Sequence, residues 1–414
     1  MAGQEYIAGI DIGSTAVRIA VGVRTPGSEN KMINIIGLTE VPSEGVHRGI
    51  INSIDDVVSS ISMCRERLER MIGAPVDRVW VGISGPQIVS QTSRGFIAVA
   101  RADGEIQEED MERAIEAART VPTQSNYEII HVLPKSFTVD RQAGVKSPVG
   151  MIGTRLEVDA EIIQAPMAQR KNLTNAIYRA RLDIEDLVYA PLATSEAVAS
   201  DRQKKLGTAM INIGSGTTSL IVFEEGDVLH TAVLPLGSEH ITADIGIGLR
   251  TSPDIAEEIK TKFGTAAPAQ VNKNEEINLR DVGASEDEFV SRRHVAEIIE
   301  ARVEEIYEKV DKELRRIDRS GLLPGGAVLT GGGSKLPGMV DLAKRTLRLP
   351  ASLGYPAGIM TVTEAVHDLS FSTAVGLVLW GDRVINTSPS GGSMGGGFGK
   401  IAKGLGKLFG SFRP

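Results

Sequence analysis

Two short stretches rich in glycine, serine and threonine have the residue types that bind phosphate. The first is IDIGSTAVRIAV, residues 10–21, and the second is INIGSGTTSLIVF, residues 211–223. Apolar residues flank each polar cluster, which predicts a β-hairpin with a polar tip. Glycine lets backbone N–H groups approach a ligand closely, and the hydroxyls add donors. One such tip alone is typical of an ordinary turn, but the pair predicts two similar half-molecules facing one polyphosphate.

Each candidate phosphate ligand lies in one of these two predicted tips. They are Gly13, Ser14, Thr15, Gly214, Ser215, Gly216, Thr217 and Thr218.

One slot distinguishes the two copies, because Asp11 in the first hairpin is matched by Asn212 in the second. Mg²⁺ dehydrates reluctantly and prefers a few carboxylates together with phosphate oxygens, so we expect Asp11 to hold a magnesium ion chiefly through water. The alternative is an aspartate that caps its own turn. Asn212 is an amide, which binds metal weakly and cannot accept a proton.

A run of glycines follows an apolar stretch in AVLTGGGSKLPGM, residues 327–339. Such a run can lie flat beneath a nucleotide base and sugar, which makes Gly331, Gly332, Gly333 and Ser334 candidate nucleoside contacts. A flexible strand-to-helix turn is the alternative.

Composition narrows the possible functions. The chain has 414 residues and one cysteine, Cys64, so a disulfide framework and thiolate metal sites are excluded. Its length predicts at least two domains, and its formal net charge of −8 argues against nucleic-acid binding. No apolar run approaches the roughly 20 residues that span a bilayer, and no apolar signal core follows Met1. We therefore expect a cytoplasmic protein.

The segments around the first hairpin should position it. Residues 32–41 and 76–85 resemble strands, whereas residues 51–73 have apolar side chains at helical spacing. That spacing predicts that Cys64 is a buried apolar residue and not a nucleophile. A second long helix is predicted over residues 294–317.

Taken together, these features resemble the actin-like ATPase superfamily, whose members bind ATP between two related domains with two phosphate hairpins and a glycine-rich adenosine loop. Within it, several stretches resemble the FtsA family of bacterial cell-division proteins. They are VLPLGSEHITADIGIGLRTSPDIAEEIKTKFG (233–264), YEIIHVLPKSFTVDRQAGVKSPVGMIGTRLEVDAEII (127–163) and FSTAVGLVLWG (371–381).

The resemblance implies an actin-like α/β fold of two lobes with an inserted subdomain in each. The implied parts are a first lobe from 1–85, 166–204 and 362–385; its inserted subdomain at 86–165; a second lobe from 205–243 and 321–361; its helical subdomain at 244–320; a flexible linker at 386–399; and a membrane helix at 400–414.

ATP and Mg²⁺ are the implied ligands. Arg18 stands where a related fold carries a phosphate-directed lysine, and a solvated strand-edge arginine is the alternative. Glu257 and Lys260 would face the adenosine from one helix, or form only a surface ion pair. Relatives that hydrolyse ATP well have glutamate or glutamine where this chain has Ala190, and Glu196 is a candidate replacement. We therefore expect nucleotide binding with at most slow hydrolysis.

The resemblance further implies a filament-forming adaptor that joins the tubulin-like division protein FtsZ to the membrane. The acidic FtsZ tail would dock on the helical subdomain, where Arg293 and Arg302 are the candidate cations; neutralisation of neighbouring glutamates on the same helix is the alternative. Copies of the chain would also bind one another. Two other functions remain open: an actin-like pilus-assembly adaptor and an actin-fold small-molecule kinase.

The C-terminal residues differ from the rest of the chain. NTSPSGGSMGGGFG, residues 386–399, has the composition of a linker, and KIAKGLGKLFGSFR, residues 400–413, combines apolar and basic residues without an acidic one. We expect an amphipathic helix on an anionic membrane surface; a solubilising end, or a helix docked on the protein, is the alternative. The candidate membrane contacts are Lys400, Ile401, Lys403, Leu405, Lys407, Leu408, Phe409 and Phe412.

Overall fold

The computed structural model describes residues 5–24, 32–120, 124–285, 287–361 and 363–387. The strands are β1 (Glu5–Ile12), β2 (Ala16–Arg24), β3 (Ile33–Pro42), β4 (Val46–His47), β5 (Ile50–Ile51), β6 (Arg78–Ile83), β7 (Val89–Ala98), β8 (Tyr127–Val139), β9 (Gln142–Val145), β10 (Arg155–Pro166), β11 (Asp183–Tyr189), β12 (Thr208–Ile213), β13 (Thr218–Glu224), β14 (Asp227–Leu234), β15 (Glu276–Asn278), β16 (Phe289–Ser291), β17 (Ala327–Thr330), β18 (Ala351–Leu353) and β19 (Ile359–Thr361).

The α-helices are α1 (Ile54–Ile72), α2 (Glu108–Ala118), α3 (Met167–Arg179), α4 (Ala190–Val198), α5 (Asp201–Leu206), α6 (Ser238–Leu249), α7 (Pro253–Phe263), α8 (Arg292–Arg316), α9 (Met339–Leu347) and α10 (Ser372–Thr387). In the part of the chain that the structure describes, no helix is long and apolar enough to cross a membrane.

Two mixed sheets share one five-strand arrangement. The first has the order β3-β2-β1-β6-β11, with β19 added beside β3, and the second has the order β14-β13-β12-β17-β18. In each five-strand order, the first two pairs of neighbouring strands are antiparallel and the last two pairs are parallel. The prediction of two similar half-molecules is therefore confirmed by the strand order.

Both sheets are covered on each face, which explains their nearly continuous apolar strands. One core cluster joins the first lobe to one face of the second sheet, where Met210, Ile221 and Phe223 pack against it. The helix α1 covers the first sheet and buries Cys64 completely, as predicted. Burial raises the pKa of this thiol to about 12, so it stays protonated at neutral pH.

The two insertions have separate architectures. An antiparallel sheet of order β7-β10-β8-β9 carries α2 on one face and has its own apolar cluster. The other insertion contains α6, α7 and α8 with the small hairpin β15–β16, and it shares its core with the second sheet.

Three of the predicted boundaries differ from the structure. Residues 359–361 pair with β3, so they belong to the first sheet and not to the second lobe. The predicted boundary between 243 and 244 falls inside α6, because that helix begins at Ser238. The last helix, α10, continues to Thr387, two residues into the predicted linker, because Ile385 still packs against the core. Residues 388–414, which include the predicted membrane helix, lie outside the described residues.

A close contact between α10 and α4 gives a test of this packing. A Cβ atom on Gly376 would lie 2.0 Å from the carbonyl oxygen of Ala193. We expect Gly376→Ala to lower the free energy of unfolding by about 1–3 kcal/mol, the usual cost of overpacking. Urea unfolding measures the change.

The matched control is Gly246→Ala in α6, where the nearest atom to a new Cβ is 3.4 Å away. This change should leave stability unchanged or raise it by about 0.5–1 kcal/mol. Equal midpoints for both variants would contradict the close packing of α4 and α10.

Candidate nucleotide site

The two hairpin tips have the same backbone construction. The N–H of Gly13 donates to the carbonyl of Ala16 at 3.0 Å, and the N–H of Gly214 donates to the carbonyl of Thr217 at 2.9 Å. Each glycine is therefore the first residue of a tight turn that leaves the tip exposed to the space between the lobes.

The strand register extends this correspondence to the polar side chains. Asp11 lies opposite Arg18 across β1 and β2, and Asn212 lies opposite Ser219 across β12 and β13. The aspartate and the asparagine thus occupy one structural slot in two copies of the same hairpin, as the sequence predicts.

The tips line one cleft between the lobes, with a volume of about 850 Å³. The glycine run after β17 lines a third side of this cleft. The predicted site residues that line it are Asp11, Gly13, Ser14, Thr15, Arg18, Asn212, Gly214, Ser215, Gly216, Thr217, Glu257, Lys260, Gly331, Gly332 and Gly333.

The Asp11 carboxylate is the candidate metal ligand. Among the described residues no hydrogen-bond donor contacts it, and burial raises the pKa of the carboxyl while the nearby charge of Arg18 opposes that rise. No group of three or more acidic, histidine or cysteine side chains that could hold a metal occurs among the described residues. One unsatisfied carboxylate fits Mg²⁺, which takes its remaining ligands from phosphate and water.

Arg18 lies in the cleft but already has partners. Its Nε donates to Glu40 on the neighbouring strand at 2.6 Å, and its guanidinium carbon lies 5.9 Å from the centre of the Phe371 ring. The sequence left open whether Arg18 is a phosphate ligand or a solvated arginine. In the structure, these partners hold its guanidinium at the wall of the cleft.

Asn212 ties the second hairpin to the adjoining elements. Its side-chain N–H donates to the Thr373 hydroxyl on α10 at 3.3 Å. A Cβ atom on Gly331 would lie 2.2 Å from Asn212 Oδ1, so only glycine fits at that point of the nucleoside loop. Gly331 also has a φ of +86°, which favours glycine.

Lys260 and Glu257 form the ion pair that was the alternative interpretation, yet they also line the cleft. Lys260 is buried, and its Nζ donates to Glu257 at 2.5 Å and to the Thr242 hydroxyl at 2.8 Å. A buried ammonium in this position contributes positive charge to the wall of the cleft.

Three candidates lie elsewhere. Thr218 is fully buried and donates to the carbonyl of Leu236 at 2.8 Å, because strand alternation turns it away from the tip. Ser334 is buried and donates to the carbonyl of Thr330 at 2.6 Å.

Glu196 is the third. Its carboxylate pairs with Lys204 and Arg383, each at 2.7 Å, and does not line the cleft. The prediction that Glu196 replaces a catalytic base is therefore wrong, because its ion pairs with Lys204 and Arg383 hold the carboxylate away from the cleft.

The partner-binding candidates on α8 also change. Arg302 makes a two-pronged ion pair with Asp244 on α6 and a further pair with Glu305. Arg302 joins α8 to α6, so the prediction that it binds the partner peptide is withdrawn. Arg293 pairs with Glu297 at 3.4 Å near the surface and stays a candidate.

Sequence reasoning missed several residues that line the cleft. Ser84, after β6, lies 3.4 Å from Ser219 between hydroxyl oxygens and joins the two lobes. Glu239 and Lys335 add charges at the wall. Ser219 was predictable, because it is the residue of the second hairpin that is equivalent to Arg18. Ser84, Glu239 and Lys335 reach the cleft only through the folding of the chain, which no local sequence pattern indicates.

The raised pKa of Asp11 generates a test on the ligand-free protein. We expect Asp11→Asn to raise the thermal unfolding midpoint at pH 7.5 by roughly 2 °C or more, because it removes a charge that burial disfavours. The pKa of Asp11 is raised in the folded state. The loss of stability caused by the buried charge is therefore complete above the folded-state pKa and disappears below the unfolded-state pKa. The stability gap should therefore narrow as the pH falls. Calorimetric scans from pH 7.5 to 4.5 measure it.

Asp77→Asn, at an exposed position, is the matched control and should show no such gap. A midpoint for Asp11→Asn at or below that of wild type at pH 7.5 would contradict the desolvated carboxylate.

Comparisons with known proteins identify the family. The model of the family "Cell division protein FtsA" matches residues 209–376, and that of "SHS2 domain inserted in FTSA" matches residues 85–164. The FtsA of Bacillus subtilis is 38% identical over 383 residues, covering 92% of this chain and 85% of the relative. The FtsA of Pseudomonas aeruginosa is 34% identical over 377 residues, covering 91% and 89%.

Solved structures confirm the predicted actin-like α/β fold. A chain of the PilM-PilN type IV pilus biogenesis complex superposes with a TM-score of 0.66 at 18% identity, covering 91% of this chain and 98% of that one. MreB5 of Spiroplasma citri bound to ADP superposes with a TM-score of 0.54 at 12% identity, covering 93% and 99%. Identities this low show the fold alone, but the full-length sequence matches go further: the chain belongs to the FtsA family of cell division proteins.

Proposed function

We propose that this protein binds ATP with Mg²⁺ in the cleft, polymerises, and tethers FtsZ filaments to the inner face of the cytoplasmic membrane during division. The observation that carries the nucleotide part is the convergence of two matched glycine-serine tips on one cleft. Membership of the FtsA family supports a role in cell division.

The phosphate groups would lie between the tips. Backbone N–H groups of 14–15 and 215–217 would donate to their oxygens, as at other glycine-rich anion sites, because those of Gly13 and Gly214 already close the two turns. The N–H of Gly49 donates to Ser14 Oγ at 3.1 Å, which leaves the Ser14 hydroxyl proton free for a phosphate oxygen. Asp11 would hold Mg²⁺ through water, and the metal would neutralise phosphate charge.

The nucleoside would lie against the run at 331–333. A Cβ atom on Gly333 would lie 2.6 Å from Ile213 Cγ2, so the backbone there packs directly on β12. The flat wall that results suits a base and sugar, and Glu257 stands close by with its carboxylate half-exposed.

Hydrolysis should be slow. The position in the second hairpin that is equivalent to Asp11 holds Asn212, Ala190 offers no polar group, and Glu196 is held in ion pairs outside the cleft. Phosphoryl transfer depends on positioned groups that stabilise charge and orient water. ATP would therefore act mainly as a structural ligand that joins the lobes.

Two alternatives have less support. The likeness to the pilus protein is of fold alone, whereas the FtsA relatives match over nearly the full chain. A small-molecule kinase requires an acceptor-activating carboxylate in addition to the metal ligand Asp11, and the other cleft acids, Glu40, Glu239 and Glu257, are each engaged by a cation.

The helical subdomain offers a surface for an acidic peptide. Arg250 directly follows α6, is exposed, and has no ion-pair partner among the described residues. Ile247, one turn earlier, is 78% exposed. A cation beside an exposed apolar side chain fits a peptide that carries both acidic and apolar residues, so we propose Arg250 with Arg293 in place of Arg302.

Nucleotide binding is tested by thermal unfolding. We expect ATP with Mg²⁺ to raise the unfolding midpoint, since a ligand selective for the folded state at 100 times its Kd adds about 2.7 kcal/mol. The shift should be smaller with ATP and EDTA, because the metal carries part of the phosphate charge. No shift at millimolar ATP and Mg²⁺ would overturn the assignment of the cleft.

The partner surface is tested with a synthetic FtsZ C-terminal peptide. We expect Arg250→Glu to weaken binding about tenfold, as removal of a charged hydrogen bond of about 1.5 kcal/mol would. Lys205→Glu, at an exposed position on α5, is the control and should bind like wild type. Fluorescence anisotropy measures both, and equal affinity for the two variants would exclude Arg250.

Membrane attachment is tested with vesicles of anionic lipid. Deletion of 400–414, or replacement of Phe409 and Phe412 by Asp, should abolish co-sedimentation while ATP still shifts the midpoint, because apolar burial and cationic attraction both reside in the tail. The control Phe96→Asp removes an exposed phenylalanine of the inserted subdomain and should sediment normally. Pelleting of the truncated protein would place the membrane contact elsewhere.

A further inference from the structure

The small hairpin β4–β5 contacts both phosphate-binding tips. We call residues 45–51 the strap. On one side, the strap donates the Gly49 N–H to Ser14 of the first tip at 3.1 Å. On the other side, a Cβ atom on Gly216 of the second tip would lie 2.8 Å from the Cα of Arg48. The backbone of the strap therefore packs against both tips, where each lobe would contact phosphate.

Arg48 also joins the lobes through its side chain. Its Nε lies 3.1 Å from Glu239 Oε1. Glu239 lies in the first turn of α6, lines the cleft, and donates its backbone N–H to the carbonyl of Ser215 at 2.9 Å. The ion pair thus completes a closed path of contacts from the first tip, through the strap and α6, to the second tip.

The strap is a short antiparallel hairpin with a two-residue loop. Its strands have two residues each, and Arg48 has a φ of +49° between Gly45 at +76° and Gly49 at +75°. Positive φ at both loop residues, Arg48 and Gly49, is the geometry of a type I′ hairpin turn, so the turn itself sets the shape of the tip. The strap thus presents the Arg48 side chain from the first lobe to Glu239 of the second.

We propose that the strap and the Arg48–Glu239 ion pair form a latch that holds the lobes closed over the phosphate groups and sets the rate of nucleotide release. The latch rests on the proposed nucleotide binding and adds a regulation of that site. Arg48 acts as a positioning residue, because its guanidinium bonds to Glu239 and it is not among the residues that line the cleft.

Nucleotide release from the full-length protein tests the latch. A fluorescent ATP analogue with Mg²⁺ is bound, and its dissociation is followed by stopped flow after addition of excess ATP. Arg48→Ala should accelerate release two- to fivefold, the range for a partly exposed ion pair. Glu239→Gln should also accelerate release, and the double variant should be no faster than the faster single variant, because both changes break one interaction. Additive effects would overturn the latch.

The matched control is Arg78→Ala. Arg78 pairs with Glu185 at the same distance of 3.1 Å, but both residues belong to the first sheet. Its loss should leave release unchanged. Equal acceleration by Arg78→Ala and Arg48→Ala would show a general loss of stability and would overturn the proposal.

Lobe separation in the nucleotide-free protein gives a second readout. Spin labels at Arg67→Cys on α1 and Lys262→Cys on α7, both exposed, report the distance between lobes by pulsed electron resonance. The native Cys64 is buried with a pKa of about 12 and should not react. Arg48→Ala should lengthen or broaden the distance, and an unchanged distribution would overturn the latch.

The two readouts separate the two hypotheses. If wild-type protein bound no nucleotide, the proposed function would fail, and the distance measurement would decide by itself whether the latch holds the lobes together. If nucleotide bound and Arg48→Ala released it at the wild-type rate, only the latch would fail.

Discussion

Backbone N–H groups on two separate hairpins can serve one polyphosphate only if the sheets that carry them stay at a fixed separation. The structure meets this constraint at the base of the cleft. The hydroxyls of Tyr189 and Thr231 lie 2.9 Å apart across the lobes, and those of Thr330 and Ser372 lie 2.7 Å apart. A core cluster that includes residues of both lobes excludes water from this region. The depth of the cleft, the facing tips and the role of the strap all depend on that shared base.

The two hairpins are alike in construction but unlike in charge. Asp11 places a carboxylate in the first hairpin, where burial raises its pKa. Asn212 occupies the matching slot without charge and uses its amide to hold Thr373. Under the proposed function, two similar backbone turns with one acid would favour nucleotide binding over turnover. Affinity would come from N–H groups that both copies have, whereas catalysis needs polar groups that the second copy lacks.

The sequence was most informative where function requires a particular backbone. Glycines and hydroxyls at 13–15 and 214–217 predicted the tips, since few other residues allow close approach of the chain to an anion. It was wrong for Thr218, because a one-residue step along a strand reverses the side-chain direction. Local spacing could not reveal that Asp244 engages Arg302, or that Lys204 and Arg383 engage Glu196, since these partners meet only after folding. The strap was missed because strands of two residues have no periodic pattern.

An experimental structure with a non-hydrolysable ATP analogue and Mg²⁺ tests the central claim most directly. The account predicts that the phosphate groups lie between residues 13–15 and 214–217, with the metal joined to Asp11 through water and the nucleoside against residues 331–333. A nucleotide bound outside the cleft, or one that contacts a single hairpin while the other tip faces solvent, would contradict it.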